Sequence, residues 1–165
     1  MDLNNFQEIK DFPNYMINKQ GNIYSNKRNK LLKIYSKHKD KYKKITLRKN
    51  GKSYKKSIHR LLGIQYLDNP NNLPCIDHIN RNRIDNSLSN LRWVSYSINA
   101  KNKSSKKNAT SKYIGVRKTC LIKKPYRAET TYEGKYYSIG YFKTELEAYE
   151  SYKKFNLDNF NIEII

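Results

Sequence analysis

The 165-residue sequence predicts an α+β fold made of small modules, not one domain around a large core. Three observations lead there. Hydrophobic residues make up 37% of the chain and the mean hydropathy is −0.97, so each core must be modest. Apolar residues recur with period two over short runs broken by turn pairs such as Asn50-Gly51 and Glu133-Gly134, the pattern of short antiparallel strands. Residues 101–112 carry no large apolar side chain, and a stretch that cannot pack divides the chain.

In order, residues 1–70 read as a basic, hairpin-rich amino-terminal module. Tyr15–Ile17 and Asn22–Tyr24 are extended pieces around a turn at Lys19-Gln20-Gly21. Residues 36–44 are mostly lysine, a solvated face suited to phosphate contact. Tyr42–Ile58 is a hairpin closed by Asn50-Gly51, the favoured pair for a type I′ turn. Ile45 and Leu47 share one face of it. Lys43, Lys44, Arg48 and Lys49 belong to a basic ribbon that can follow a DNA backbone. Ser57 reads as a helix cap, and Ile58, Leu61, Leu62 and Tyr66 form an apolar stripe ended by Asp68-Asn69-Pro70. His59 and Arg60 fall off that stripe. The sequence therefore places His59 on the surface, with a catalytic helper as the lesser alternative.

Residues 71–103 are the part the rest is organised around. Cys75–His78 reads as a strand, Asn80–Ser89 as a polar loop, Asn90–Val94 as a second strand with Leu91 and Trp93 on one face, and Ser95 as the start of a helix. This brings forward three chemical groups. Asp77 is a hard anionic oxygen donor, Asn99 a neutral carbonyl donor and His78 a titratable nitrogen. Mg²⁺ takes oxygen ligands and is often held by one or two carboxylates, with water and substrate phosphate completing its shell. A neutral imidazole can take a proton from water near neutral pH. Strand neighbours point to opposite faces, so Asp77 and His78 serve one phosphate only if the strand ends or twists there. Cys75 and His78 also have Cys-x-x-His spacing, but structural zinc needs four ligands and the other thiol is Cys120.

Asp77-His78, Asn90 and Asn99, with Asn-Leu-Arg-Trp between, resemble the HNH endonuclease motif, the ββα-metal nuclease core. The spacings of 13 and then 9 residues match the phage homing-endonuclease branch, in which the last histidine is replaced by asparagine. The resemblance implies that Asp77 and Asn99 ligate Mg²⁺, with Mn²⁺ as an alternative. It makes His78 the general base and gives Asn90 the task of tying the loop to the second strand. Arg81, Arg83 and Arg92 become candidate DNA contacts. The segment Pro13–Ser25 resembles the small modules that precede HNH cores.

Residues 104–112 are a basic linker, and residues 113–157 read as three antiparallel strands packed on one helix. Tyr126, Ala128, Thr130 and Tyr132 alternate with Arg127, Glu129 and Thr131. Thr144-Glu145-Leu146-Glu147 is a capping box, and Ala148, Tyr152 and Phe155 form the helix stripe. Ile-Gly-Val-Arg, Tyr-Arg-Ala-Glu and Ile-Gly-Tyr-Phe-Lys-Thr resemble the DNA-binding domain of plant APETALA and ethylene-response factors. That resemblance implies groove contacts from Arg117 and Arg127. Tyr126 stands where the family usually has Trp, and the Thr119–Pro125 loop has no counterpart.

The net charge is +20 and the pI about 9.9, which points to a polyanionic partner. Basic outnumber acidic side chains by 17 to 5 in residues 1–70, by 8 to 2 in 71–112 and by 9 to 7 in 113–165, so the front and middle do most of the attraction. No apolar run approaches the roughly 20 residues of a spanning helix. The polar amino terminus is no signal peptide, and two cysteines make no disulfide framework, so an intracellular, reducing setting is expected. The expectation is a metal-dependent HNH endonuclease acting on double-stranded DNA as a monomer or weak dimer and nicking one strand. The alternatives are a DNA-binding regulator with an inactive nuclease core and, given the 15 tyrosines available for stacking, an RNA binder.

Overall fold

A computed structural model describes residues 3–36, 42–102 and 108–164. They form two compact units, Met1–Ser95 and Tyr96–Ile165. The division falls inside the 71–103 segment expected as one core. The helix that follows the second strand of that core belongs to the second unit, because Ile98 packs on the second unit's apolar cluster and Lys101 is buried there.

In the first unit, β1 (Phe6–Ile9), β2 (Phe12–Asn18), β3 (Ile23–Ser25) and β4 (Lys30–Leu31) form an antiparallel sheet in that order. The expected Tyr15–Tyr24 hairpin is its centre, with Ile17 paired to Ile23 and both fully buried. The hairpin of β5 (Lys44–Lys49) and β6 (Lys52–Ser57) turns through Asn50 at φ 50° and Gly51 at φ 73°, the left-handed pair that a type I′ turn requires. Ile45 and Leu47 face the core, and Thr46 and Arg48 face solvent. Of the lysine-rich stretch, residues 37–41 lie outside the described residues.

Helix α1 (Ile58–Tyr66) buries Ile58, Leu61 and Leu62 on its expected stripe. Ser57 occupies the N-cap position but makes no side-chain capping bond. The helix lies against the hairpin of β7 (Cys75–His78) and β8 (Leu91–Val94), and Gly63 makes this approach possible. A β-carbon at Gly63 would stand 2.0 Å from Ile76 Cδ1. Trp93 Nε1 donates to Leu67 O at 3.2 Å, and an Arg60 guanidinium nitrogen donates to Pro74 O at 2.7 Å, fastening the helix end to the hairpin. Gly63→Val is therefore expected to destabilise the protein by about 1–3 kcal/mol through overpacking. Denaturant unfolding checks this; an unchanged midpoint would mean that Ile76 yields without cost.

The second unit holds α2 (Tyr96–Lys101), then β9 (Val116–Lys118), β10 (Tyr126–Tyr132) and β11 (Lys135–Phe142) in a sheet ordered β11-β10-β9, and α3 (Glu145–Phe160). Ala128 and Thr130 of β10 meet Ala148 and Tyr152 of α3 in the interior. The capping box forms as its sequence dictates: Glu147 N donates to Thr144 Oγ1 at 3.2 Å, and Thr144 N donates to Glu147 Oε2 at 3.2 Å. The helix runs to Phe160, past residue 157 where the domain was expected to end, with Ile162 and Ile164 buried beyond it. Lys101, which has the composition of linker, instead buries its ammonium. Nζ donates to Asn156 Oδ1 at 2.6 Å and Thr130 Oγ1 at 2.9 Å, beside the Tyr132 and Phe160 rings. Burial lowers its pKa. Residues 103–107, the end of the expected core and the start of the expected linker, lie outside the described residues.

Candidate active site

β7 and β8 pair antiparallel with Asp77 opposite Arg92 and His78 opposite Leu91. Both Asp77 and His78 are buried, at 7% and 3% exposure, which is unusual for ionisable residues without a task or a partner. His78 is the last residue of β7. The strand hands over to the polar loop there through Arg81, which sits at φ 62° and whose N–H donates to His78 O at 2.9 Å.

The loop is held by its own side chains. Asn90 Oδ1 accepts from Asn80 N at 2.9 Å, its Nδ2 donates to Asp85 O at 2.9 Å, and Ile79 N donates to its carbonyl at 2.9 Å. One asparagine thus clasps the start and the middle of the loop to the residue that precedes β8. Asp85 accepts from Ser87 N at 3.2 Å, from Ser87 Oγ, and from Asn80 Nδ2 at 2.9 Å. The Ser87 bonds hold the Asp85 carboxyl below its usual pKa, with Asn80 adding to the effect. Asn82 and Ile84 continue the pattern with backbone N–H groups donating to Asn80 and Asn82 side chains. The Asn- and Asp-rich composition is therefore a set of local turns that present Asn86.

Asn86 Oδ1 lies 3.0 Å from His78 Nε2. The imidazole is further boxed by Tyr42, with centroids 5.7 Å apart, and by the edge of His59 at 5.0 Å. Arg83 stacks over Tyr42 at 5.4 Å. Sequence reasoning did not find Asn86, and it set His59 on the surface. His59 is instead half-buried against His78 and Tyr42. Its place one residue past Ile58 was the available signal: the first turn of α1 puts it beside the apolar stripe, not opposite it. Among the described residues its Nδ1 is buried without a hydrogen-bond partner.

Burial, then the charges of His78, Arg60 and Lys44, push the His59 pKa from 6.5 down to about 4. The folded state thus refuses a proton that the unfolded chain accepts below pH 6.5. Stability is full above pH 6.5 and falls as the pH is lowered towards 4, by an expected 2–3 kcal/mol, roughly, at pH 4.5. His59→Phe keeps a ring and removes the titration, so its urea midpoint should lose less between pH 7 and 4.5 than that of the wild type. Equal losses would place the acid sensitivity elsewhere.

The structure also assigns partners to residues expected at the DNA. Arg92 turns its guanidinium to Asp77 Oδ2, at 3.3 Å from Nε and 3.2 Å from the terminal nitrogen. Arg117 and Arg127 flank Glu129, each with Nε 3.2 Å from its Oε2, and Tyr136 OH donates to the same oxygen at 2.8 Å. Lys43, Arg48 and Arg83 are exposed, while Lys44, Lys49 and Arg81 are half-buried. Beside Asn86 opens a cleft of about 890 Å³, with Lys19 and Lys43 among its lining residues. Lys19 had been read only as part of a turn.

No group of three or more His, Cys, Asp or Glu among the described residues could cage a metal ion. Asp77, the expected carboxylate donor, is buried on β7 and its Oδ2 accepts from Arg92. Asn99 lies half-buried on α2, in the second unit, five residues past the end of β8.

Comparison with known proteins finds relatives of this segment. A model described as HNH endonuclease matches residues 47–101. The chain is 34% identical over 102 residues to the DNA endonuclease I-HmuI of Bacillus phage SP01, covering 61% of this chain and 58% of that protein. It is 37% identical over 93 residues to the H-N-H endonuclease F-TflII of Escherichia phage T5, covering 55% and 48%. It is 39% identical over 80 residues to an uncharacterized HNH endonuclease of Acanthamoeba polyphaga mimivirus, covering 48% and 24%. The chain therefore spans between about a quarter and three fifths of these relatives' lengths. A solved structure of DNA binding and cleavage by the HNH homing endonuclease I-HmuI superposes with a TM-score of 0.52 at 35% identity, over 62% of this chain and 57% of that one. Through the segment that holds Asp77, His78, Asn90 and Asn99, the protein is related to the HNH endonucleases, the phage homing endonuclease I-HmuI among them.

Proposed function

We propose that the protein is a metal-dependent endonuclease that hydrolyses one phosphodiester of double-stranded DNA. The observation that carries this reading is the buried Asp77–His78 pair at the end of β7, with Asn90 clasping the adjoining loop and Asn86 against the imidazole. An exposed surface turn would need neither the burial nor the clasp.

Asn86 Oδ1 accepts from His78 Nε2 in the tautomer that assigns the role of base to Nδ1. That atom takes the proton of the attacking water, while Asn86, Tyr42 and His59 hold the plane of the ring. His59 stays neutral near pH 7 and adds no repelling charge beside His78 when the latter becomes imidazolium. Asp77, with Asn99 by family resemblance, would hold Mg²⁺ or Mn²⁺. Bound there, the ion would supply charge neutralisation at the phosphate and the leaving oxygen. Arg92, now on Asp77, orients that carboxylate and would have to share it with the ion.

Lys19, Lys43 and the exposed ribbon of β5 and β6 would track the backbone, in the salt-dependent manner of phosphate contacts. The β9–β11 sheet, with Arg117 and Arg127, would bias position in the groove in the way its resemblance to the APETALA-type domain implies. One base and one ion per chain make a nick the expected product of a monomer. Supercoiled plasmid and structured RNA, each incubated with Mg²⁺ and with chelator, test the reading. Nicking of plasmid in Mg²⁺ alone supports it. Binding of plasmid without cleavage in any metal would favour the DNA-binding regulator, and preference for RNA would favour the RNA binder.

A further inference from the structure

We infer that the Thr119–Pro125 loop is a wedge that inserts Leu121 and Ile122 between base pairs of duplex DNA. The inference rests on the reading of the protein as a DNA-binding enzyme and adds a contact which that reading does not contain.

The loop joins β9 to β10 just past their last pair, Lys118 with Tyr126. Its base is closed. Thr119 N donates to Pro125 O at 2.6 Å, Thr119 Oγ1 lies 3.1 Å from the same oxygen, and Leu121 N donates to Thr119 Oγ1 at 3.3 Å. Pro125 fixes its own φ at the return to the sheet. The tip is therefore presented from a stiff root, and what it presents is aliphatic. Ile122 is 96% exposed and Leu121 47%, although the second unit has a core of Val116, Ala128, Ala148 and Tyr152 within the same small fold. Two adjacent branched aliphatic side chains left in water gain by burial, and the surroundings select the partner. Lys118, Lys123 and Lys124 flank the tip and are exposed, and Val116–Ala128 contains no acidic residue.

An aliphatic pair between lysines matches a duplex step. The side chains replace the stacking they interrupt, and the ammonium groups meet the phosphates on either side. The same chemistry would suit an anionic bilayer surface. Net charge of +20 and kinship with DNA endonucleases favour the duplex.

Inserting a wedge untwists DNA, which can be read without knowing the target sequence. Full-length protein in chelator is bound to plasmid, topoisomerase I relaxes the complex, and the linking number is read after the protein is removed. Wild type should lower the linking number. Leu121→Ser with Ile122→Ser should abolish the change at matched occupancy and weaken affinity about tenfold, with the salt dependence unaltered. Lys123→Gln with Lys124→Gln should reduce the slope of log affinity against log salt by about 1.8. All four side chains are exposed, so thermal melting should not move. A wild type that binds and nicks plasmid with no change in linking number overturns the wedge and leaves the endonuclease reading standing. Loss of binding to phosphatidylserine vesicles in the serine variant, with DNA binding intact, also overturns it. A wild type that does not bind DNA removes both.

Discussion

His78→Ala is expected to slow nicking by about 10²–10⁴, the usual worth of a general base, while duplex affinity stays within twofold or so of wild type. The expectation follows from the proposed role of His78, which is buried at the end of β7 and held by Asn86 and two rings. Because the side chain is buried, truncation also opens a cavity. Added imidazole separates the two effects, since it can restore a missing base but not a damaged fold. Partial rescue with unchanged binding supports the assignment, whereas equal loss of binding and cleavage would trace the defect to packing.

Asp77→Asn is expected to abolish Mg²⁺-dependent cleavage at every accessible metal concentration. The substitution keeps the volume and leaves an oxygen for Arg92, but removes the charge that would hold a divalent ion. Asp77→Ala is the less informative variant. It strands the Arg92 guanidinium, which is 27% exposed, and so costs stability of about 1–3 kcal/mol in addition. Full turnover by Asp77→Asn, measured on folded protein, would count against the ligand assignment.

The parts of the structure legible in sequence are those that local chemistry decides. Asn50-Gly51 specified its turn, the Ile45/Leu47 alternation its face, and Thr144 with Glu147 its cap. The strand–loop–strand plan of residues 75–94 followed from composition and alternation in the same way. What escaped depends on pairing across the chain. β1 and β4 are too short to show a period, and in β1 only the end residues, Phe6 and Ile9, are buried. The Arg92–Asp77 ion pair was not legible because a cross-strand neighbour is set by register, which places the two residues opposite each other. Lys101 looked like linker because no local pattern announces a buried ammonium satisfied by Thr130 and Asn156, 29 and 55 residues away. His59 meets His78 only because Gly63 lets α1 settle onto Ile76.

The most direct test is where a divalent ion binds. Crystals of the protein with duplex DNA and Mn²⁺, measured at a wavelength where manganese scatters anomalously, would locate it. The expected result is a peak within coordination distance of the Asp77 carboxylate and a DNA phosphate, with His78 Nδ1 facing the attack side of that phosphorus. A peak elsewhere, with Arg92 still closed on Asp77 and no phosphate near His78, would contradict hydrolysis at this site.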